Sequence, residues 1–337
     1  MFVKFNDVLY NKKMKQKDLA KLSGYSVATI SKAFSGSTEI SDETKNEIFE
    51  IAKKHGVYNK FLSKKNKTKN IVIIVPEIIS EYYSNIVTLL INELKKFNAL
   101  TAIATTNFST QTEKKLLDYY TTNKRADGII LISNRTLIGK YDIPISTWSG
   151  RKSQYCDNVI VDYKKGLFEA IKTLKNFGHK TIAFIGENLT ISRANTFRNA
   201  LKFYNLNIDE SLITISSSRF EEAGYSAIKK IIKNENKPTA IITAYDYIAM
   251  GAIKYLNKHG YAVPDDFSIV GYDDISISSN EKISLSSIRT NIKEASKIIS
   301  ESIIKKIENP KLLRNSDILI NTIFIKRNSI KDIKKEQ

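Results

Sequence analysis

Residues 15–34, KQKDLAKLSGYSVATISKAF, constrain the fold of this chain more than any other stretch. Gly24 interrupts an apolar pattern where a left-handed residue can end one helix, and Ser26 is a suitable N-cap for the next. The pattern predicts a helix-turn-helix whose second helix fits a DNA major groove. An ordinary helical hairpin with a solvated outer face is the alternative for these residues alone. The apolar positions, at three-to-four spacing, are Leu19, Ala20, Leu22, Val27, Ile30 and Phe34.

The outer face of the predicted second helix carries small, polar and basic side chains. Ala28 can contact a thymine methyl group, and Thr29 and Ser31 can bond phosphates or base edges. Lys32 can reach a guanine or a phosphate. These residue types are the ones that read DNA from a helix.

A third helix is predicted to begin at Ser41, a suitable N-cap, and to end at Gly56. Its inner stripe consists of Ile48, Ile51 and Ala52. Upstream of the motif, the spacing of apolar residues in 5–10 suggests one or two additional amphipathic turns. The N-terminal region is therefore expected to be a small all-α head.

Positive charge is concentrated at this end of the chain. Residues 1–70 contain 15 Lys, no Arg and 7 acidic residues, so +8 of the net +18 lies in this segment of a 337-residue chain. A basic surface neutralises phosphates and gives salt-sensitive affinity for nucleic acid. Because Lys, Asn and Ile are abundant throughout, the asymmetry supports a nucleic-acid partner better than the overall charge does.

Composition argues against several other classes. The single cysteine, Cys156, excludes a disulfide framework within the chain, and three histidines without ligand-like spacing argue against a metal cluster. No glycine-rich phosphate loop or nucleophile elbow is present, so we predict neither an enzyme nor a cofactor. No signal-peptide-like core and no run of membrane-spanning length is found, so a cytoplasmic protein without a membrane partner is expected.

From residue 71 onward, short β-branched runs alternate with amphipathic stretches. This alternation predicts an α/β fold of parallel sheets with helices on both faces, and the number of strands suggests two sheets. The predicted strands are 71–75, 100–104, 128–132, 159–161, 181–185, 212–215, 240–243 and 268–270. The predicted helices are 86–97, 113–123, 165–176, 193–204, 222–233 and 248–259.

Charged and aromatic residues follow the predicted strands, where ligands of such sheets bind. Carboxylates and Arg bond hydroxyl groups, and aromatic faces stack on sugar or base rings. We therefore expect a cleft for a small polar ligand. Asp246 and Asp274 have an alternative role as helix caps or as acceptors for the hinge backbone, and His179 is expected to be structural. The candidates from these positions include Tyr82, Tyr83, Arg193, Phe220, Tyr245, Asp246 and Asp273.

Several segments carry a resemblance to a known family. In the head they are SVATISK, SDET and GVY; further along they are GHKTIAFIG, DYIAMGA, VPDDFSIVGYDD and LSSIR. These segments resemble the lactose-repressor/galactose-repressor (LacI/GalR) family across nearly the whole chain. The resemblance implies a helix-turn-helix head followed by a periplasmic-binding-protein-like (type I) domain of two doubly wound subdomains.

The resemblance and the composition together suggest a domain division. The head would span 1–58, a basic hinge 59–70, and an effector-binding and dimerisation domain 71–337. The two subdomains would comprise about 71–159 plus 290–316, and about 160–289 plus 317–330. In the family, the hinge forms a helix whose leucine enters the minor groove. Here the segment is short and lacks the usual Pro-Asn, so a wedge at Leu62 or Phe61 and a flexible basic tether stay open.

The resemblance also implies site residues. Val27 and Ala28 would be the operator-reading pair. Trp148 would stack on a sugar face, with simple packing as the alternative. The DNA-binding candidates are Lys17, Ser26, Val27, Ala28, Thr29, Ser31, Lys32, Ser35 and Leu62. The effector-binding candidates are Tyr82, Tyr83, Trp148, Asp162, Arg193, Phe220, Tyr245, Asp246 and Asp273.

Three positions depart from the family pattern. Lys32 stands where Arg is usual, which removes the bidentate fork of a guanidinium group. Tyr245 replaces a common Asn, so the effector cannot be inherited from another member. Thr196 replaces a Gly in the helix after Arg193.

The sequence thus predicts a ligand-responsive transcription regulator, with a repressor as the expected type, that binds a pseudo-palindromic double-stranded operator as a homodimer. The expected effector is a sugar or sugar derivative between its subdomains. Closure of the cleft would change the spacing of the heads and hence operator affinity. One alternative is a cytoplasmic sugar-binding or signalling module without sequence-specific DNA binding. Another is a regulator controlled by a protein coeffector on the DNA-proximal subdomain.

Overall fold

The computed structural model describes residues 14–62, 67–122, 125–132, 138–148, 152–280, 284–309 and 315–334. Within these ranges, a helical head precedes an α/β region. The helices are α1 (Gln16–Ser23), α2 (Val27–Ser35), α3 (Asp42–Lys54), α4 (Tyr58–Phe61), α5 (Glu81–Lys95), α6 (Thr110–Thr121), α7 (Tyr163–Asn176), α8 (Ile191–Phe203), α9 (Phe220–Ile231), α10 (Asp246–Lys258) and α11 (Ile292–Glu308). The strands are β1 (Lys69–Val75), β2 (Ala99–Thr105), β3 (Gly128–Ile132), β4 (Ile145–Trp148), β5 (Asp157–Asp162), β6 (Ile182–Glu187), β7 (Ile213–Ser216), β8 (Ala240–Thr243), β9 (Ser268–Tyr272), β10 (Ser286–Thr290) and β11 (Asp317–Ile325).

The head folds as its local signals predict. Gly24 ends α1 with φ +75°, a left-handed conformation that glycine adopts without a steric cost. The Ser26 hydroxyl caps α2 by accepting the Thr29 N–H at 3.0 Å. Leu22 and Val27, expected in the core, are instead 51% and 47% exposed, because they lie beside the turn and point away from the three-helix contact. The turns predicted over 5–10 lie outside the described residues. The head core contains Leu19, Ile30, Ala33, Phe34, Ile48 and Ala52.

The α/β region is built on two parallel sheets joined by one strand. The strand order is β2-β1-β3-β4-β5-β11-β10-β9-β8-β6-β7. Neighbouring strands run parallel except for β10 and β11, which are antiparallel. We call the part on β1–β5 the first subdomain and the part on β6–β10 the second. The predicted α/β class with doubly wound parallel sheets is confirmed.

Strand β11 belongs to both subdomains. Residues 317–321 pair with β5, whereas 322–325 pair with β10. The division expected at 317 therefore differs from the structure by about five residues, since the start of β11 extends the first sheet. The hinge expected over 59–70 also has different bounds. Phe61 of α4 packs against the head core, and β1 already begins at Lys69.

A close helix contact sets the position of α9 and α10, whose first turns face the space between the subdomains. A Cβ atom at Gly224 would lie 1.8 Å from the Ile248 carbonyl oxygen, and one at Gly251 would lie 1.8 Å from the Glu221 carbonyl oxygen. The two backbones therefore approach more closely than any side-chain-bearing residue allows. This contact fixes the first residues of both helices, Phe220 and Asp246.

Candidate functional site

A cavity of about 400 Å³ lies between the two subdomains. This volume falls within the range of small-molecule sites in proteins. The carboxyl ends of β6, β8 and β9 supply one wall, and the loop after β1 with the first turn of α5 supplies the other. Of the nine predicted effector residues, those that line it are Tyr82, Tyr83, Arg193, Phe220, Tyr245, Asp246 and Asp273.

Arg193 and Asp273 form a buried ion pair on the wall of the second subdomain. Arg193 Nη2 lies 3.4 Å from Asp273 Oδ1, and Arg193 Nη1 donates to the Ala244 carbonyl. The guanidinium also lies 4.3 Å from the Tyr272 ring centroid and 4.9 Å from that of Tyr163. Burial raises the pKa of the Asp273 carboxyl, and the charge of Arg193 opposes that shift. The pair keeps charged hydrogen-bonding groups at a water-poor surface.

Asp273 is held in an unusual backbone conformation, with φ +91°. A non-glycine residue in this region stores backbone strain, and such residues cluster at ligand sites. Phe220, on the same wall, has φ +57°. Its N–H donates to the Tyr245 hydroxyl at 3.0 Å, which helps to hold the strained conformation. Two strained residues, Phe220 and Asp273, therefore lie on the same wall of the cavity.

The Tyr82 hydroxyl approaches this pair from the first subdomain. It is buried and has no hydrogen-bond partner within the described part of the chain. Burial raises the pKa of Tyr82 well above its usual value, and Asp273 and Arg193 both act on its charge. A buried hydroxyl without a partner costs free energy unless a ligand or water bonds it. Tyr82 thus offers a bond to an occupant of the cavity.

A second charged pair lies in the cavity and was not among the predicted site residues. Arg219 Nε lies 3.4 Å from Glu187 Oε1, and the Tyr245 hydroxyl donates to the same oxygen at 3.2 Å. The Arg219 guanidinium also lies between the rings of Phe108 and Phe220, at 4.8 and 4.5 Å from their centroids. Phe108 belongs to the first subdomain, so this stacking crosses the cleft.

Asp246 is buried at the back of the cavity and accepts three hydrogen bonds. Its donors are the Ser287 hydroxyl at 2.7 Å, the Ser278 hydroxyl at 2.7 Å and the Ile275 N–H at 2.9 Å. Burial raises the pKa of Asp246 to about 7, although these bonds oppose the shift. Asp246 therefore anchors the segment after β9 and the start of β10 to the first turn of α10.

Glu81, on α5, links that segment after β9 to the first subdomain by hydrogen bonds. The N–H and the hydroxyl of Ser276 each donate to the Glu81 carboxylate at 2.7 Å. Asp274 has a related structural position, because its carboxylate pairs with Arg289 at 2.5 Å and with Arg327 at 2.7 Å. These ion pairs link the residues next to the ligand wall with β10 and the segment after β11.

Two predicted effector residues do not line the cavity. Trp148 ends β4 with 0% exposure and packs within the core of the first subdomain, so the stacking role is replaced by the packing alternative. Asp162 caps α7 instead, accepting the Lys164 N–H at 2.9 Å. His179 is buried between the Thr239 hydroxyl and the Lys331 carbonyl, and burial lowers its pKa. All three side chains hold the fold together.

The head presents a surface made of α2 and the residues around it. Thr29 is half-buried, and its hydroxyl lies 2.8 Å from that of Ser26. Leu62 is half-buried against the head core, and residues 63–66 lie outside the described ranges. The DNA-binding candidates that are exposed are Lys17, Ser26, Val27, Ala28, Ser31, Lys32 and Ser35.

Comparison with known proteins identifies the class of protein that has this head and this cleft. Residues 15–58 match the bacterial regulatory proteins of the lacI family, and residues 171–330 match the periplasmic binding protein-like domain. The HTH-type transcriptional regulator DegA of Bacillus subtilis (strain 168) is 30% identical over 296 residues, covering 82% of this chain and 86% of that protein. The chain therefore belongs to the LacI family of transcription regulators, and the resemblance seen in the sequence is confirmed.

Solved structures show the same fold. The lac repressor dimer bound to operator and the anti-inducer ONPF superposes with a TM-score of 0.73 at 16% identity, covering 94% of this chain and 99% of that one. A LacI family transcriptional regulator from Enterococcus faecium with bound ribose gives 0.69 at 22% identity, covering 78% and 99%. Within its described residues, this chain has no helix long and apolar enough to cross a membrane.

Proposed function

We propose that this protein is a cytoplasmic transcription regulator that binds a pseudo-palindromic operator as a homodimer and responds to a small polyhydroxylated ligand, a sugar or sugar derivative. The ligand occupies the cavity between the subdomains. Its binding changes their relative position and thereby the operator affinity of the two heads. The chain acts by binding rather than by catalysis, as its regulator relatives do.

The observation that carries this proposal is the convergence of Tyr82, Arg193 and Asp273. The hydroxyl of Tyr82 comes from one subdomain and the ion pair from the other. Together they offer donors and a carboxylate acceptor beside aromatic rings, which suits the hydroxyls and apolar faces of a sugar. A ligand that bonds both walls stabilises the closed arrangement by its differential affinity for that state.

The DNA-binding part rests on the family membership and on the exposed outer face of α2. That face offers small and hydroxyl side chains together with Lys32, which a major groove can accommodate. Leu62 becomes a minor-groove wedge only if it leaves the head core on DNA binding. A sugar-binding module without DNA recognition leaves the exposed face of α2 without a role.

A ligand screen and a DNA selection test the two halves separately. Thermal unfolding is measured in the presence of mono- and disaccharides, their phosphates and nucleosides, because a ligand at 100 times its dissociation constant adds about 2.7 kcal/mol of stability. Full-length protein is then used to select duplexes from a random pool at several salt concentrations. We expect a sugar-class ligand that raises the melting temperature and a two-fold symmetric duplex. If no duplex is enriched, the proposed role as an operator-binding regulator is wrong.

A further inference from the structure

The recognition helix α2 carries one charged side chain, Lys32, and that charge is already paired. Lys32 Nζ lies 2.5 Å from Glu39 Oε2, and the two side chains are 48% and 67% exposed. The hydrogen bond and the charge of Lys32 lower the pKa of the Glu39 carboxyl, so the carboxylate stays ionised near neutral pH. The outer face of α2 therefore presents a compensated charge.

The turn after α2 places Glu39 beside Lys32. Gly36 ends the helix with φ +77°, and the Ser37 N–H donates to the Lys32 carbonyl at 3.1 Å. The Ser37 hydroxyl in turn accepts the Glu39 N–H at 3.2 Å. Backbone hydrogen bonds thus bring the loop back over the last turn of the helix, and the position of Glu39 follows from this turn as well as from the ion pair.

We propose that Glu39 is a specificity-determining counter-charge, which withholds Lys32 from nonspecific phosphates and releases it to the acceptors of the operator. This inference rests on the proposed DNA-binding function. It assigns Glu39 a role in discrimination between sequences rather than in folding, because an exposed ion pair contributes little to stability.

The physical basis is a competition for one ammonium group. A free Lys32 would attract any phosphate and add sequence-independent affinity. The Glu39 carboxylate offsets that attraction, because the ion pair as a whole carries no net charge. A duplex recruits Lys32 only if it offers an acceptor good enough to replace Glu39, such as guanine O6 and N7. Binding to arbitrary sequence is therefore weakened more than binding to the operator.

Glu39→Gln in the full-length protein tests this role, and Glu50→Gln is the matched control. Glu50 lies in the same head and pairs with Lys53 at 2.7 Å, with both partners exposed, so its substitution changes the net charge equally. Dissociation constants are measured for the selected operator and for a scrambled duplex of equal length at four salt concentrations. Thermal melts establish that both variants are folded.

We expect Glu39→Gln to strengthen binding to the scrambled duplex more than to the operator, so that the ratio of the two affinities falls several-fold. The salt dependence for scrambled DNA should steepen by about one unit of log K per log salt, as for one added phosphate contact. Glu50→Gln should leave the ratio unchanged. In a Lys32→Gln background, Glu39→Gln should no longer steepen the slope.

Equal effects of Glu39→Gln and Glu50→Gln on both duplexes would overturn the inference, because they would reflect net charge alone. Selective weakening of operator binding by Glu39→Gln would overturn it too, because Glu39 would then contact the operator directly. If the wild type discriminates between the duplexes and Glu39→Gln leaves the ratio of the two affinities unchanged, only the role of Glu39 is contradicted. A wild type that does not discriminate contradicts the proposed function itself.

Discussion

Arg193 and Asp273, 80 residues apart in the chain, meet at 3.4 Å on the wall of the cleft. They come from the start of α8 and the end of β9, which the parallel sheet brings to one edge. The pair is buried, so each charge depends on the other and on whatever occupies the cavity. This dependence makes Arg193 sensitive to substitution both in stability and in ligand binding.

Arg193→Ala is expected to abolish the ligand-induced rise in melting temperature. Removing one partner of a buried pair leaves Asp273 uncompensated, so the unfolding free energy should also fall by about 3 kcal/mol. Arg198→Ala is the control, because Arg198 lies on the same helix and pairs with Glu210 in a more exposed position at 2.7 Å. It should change stability by less than about 1 kcal/mol and preserve the ligand response. Calorimetry with and without ligand measures both effects, and a retained ligand response in Arg193→Ala would rule out the assigned role.

Asp246 should make stability fall as pH rises through 7. Its folded pKa of about 7 exceeds the unfolded value near 3.8, so the protonated carboxyl stabilises the fold at low pH and this contribution is lost as pH rises towards and through 7. Asp246→Asn resembles the protonated form and removes the titration. Between pH 5 and 8 the wild type should lose about 2–3 kcal/mol relative to the variant. Urea unfolding of both proteins across this range measures the difference, and parallel pH profiles would contradict the raised pKa.

Gly251→Ala is expected to destabilise the second subdomain by about 3 kcal/mol, because the new methyl group meets the Glu221 carbonyl on the facing helix. The separation of α9 and α10 should also displace Phe220 and weaken ligand binding. Gly139→Ala provides the comparison, since a Cβ there meets nothing within 4 Å. Thermal unfolding of the two variants tests the difference. Equal stabilities would show that the helices are not locked at this contact.

Lys32→Ala should lower operator affinity by about 1–3 kcal/mol and relax the preference at one base position, as the loss of a base contact does. Lys54→Ala removes the same charge from the end of α3, away from the recognition face. It should weaken binding to all sequences alike, if it weakens binding at all. Competition between operator duplexes with single base changes measures this; a uniform loss in both variants would make Lys32 a phosphate contact.

Much of this architecture is readable in the sequence because local signals agree with tertiary packing. The caps at Ser26 and Ser41 and the glycine at Gly24 define the helices of the head where they were predicted. Each of the eight predicted strands is present. The eight predicted runs did not include β4, β10 and β11. Strand β11 gives no continuous apolar run, because its exposure alternates and it is divided between two sheets.

The binding site was predicted only in part, and the physical reasons differ between residues. Strand-end positions identified Arg193, Tyr245 and Asp273, because parallel strands place their carboxyl ends at one edge. The same rule applied to the end of β6 would have included Glu187. Phe108 reaches the cleft from a loop of the first subdomain, and its contact with Arg219 depends on how the subdomains face each other. Local sequence carries no signal for that contact.

Trp148 was predicted to lie in the site but is found in the core of the first subdomain. A lone tryptophan is chemically suited to stack on a sugar, but the full burial of Trp148 in the first subdomain results from packing around β4. Large aromatic side chains contribute strongly to a core, so residue type alone does not separate the two roles.

Coupling between the cleft and the heads is tested most directly by the operator affinity of the full-length protein. This affinity is measured with and without the ligand found by thermal shift, for the wild type and for Arg193→Ala. Ligand should change the wild-type dissociation constant for operator by about 5–150-fold. Arg193→Ala should bind operator in the absence of ligand and show no change when ligand is added. An operator affinity that is independent of ligand in the wild type, or equally dependent in both proteins, would contradict the coupling between cleft and head.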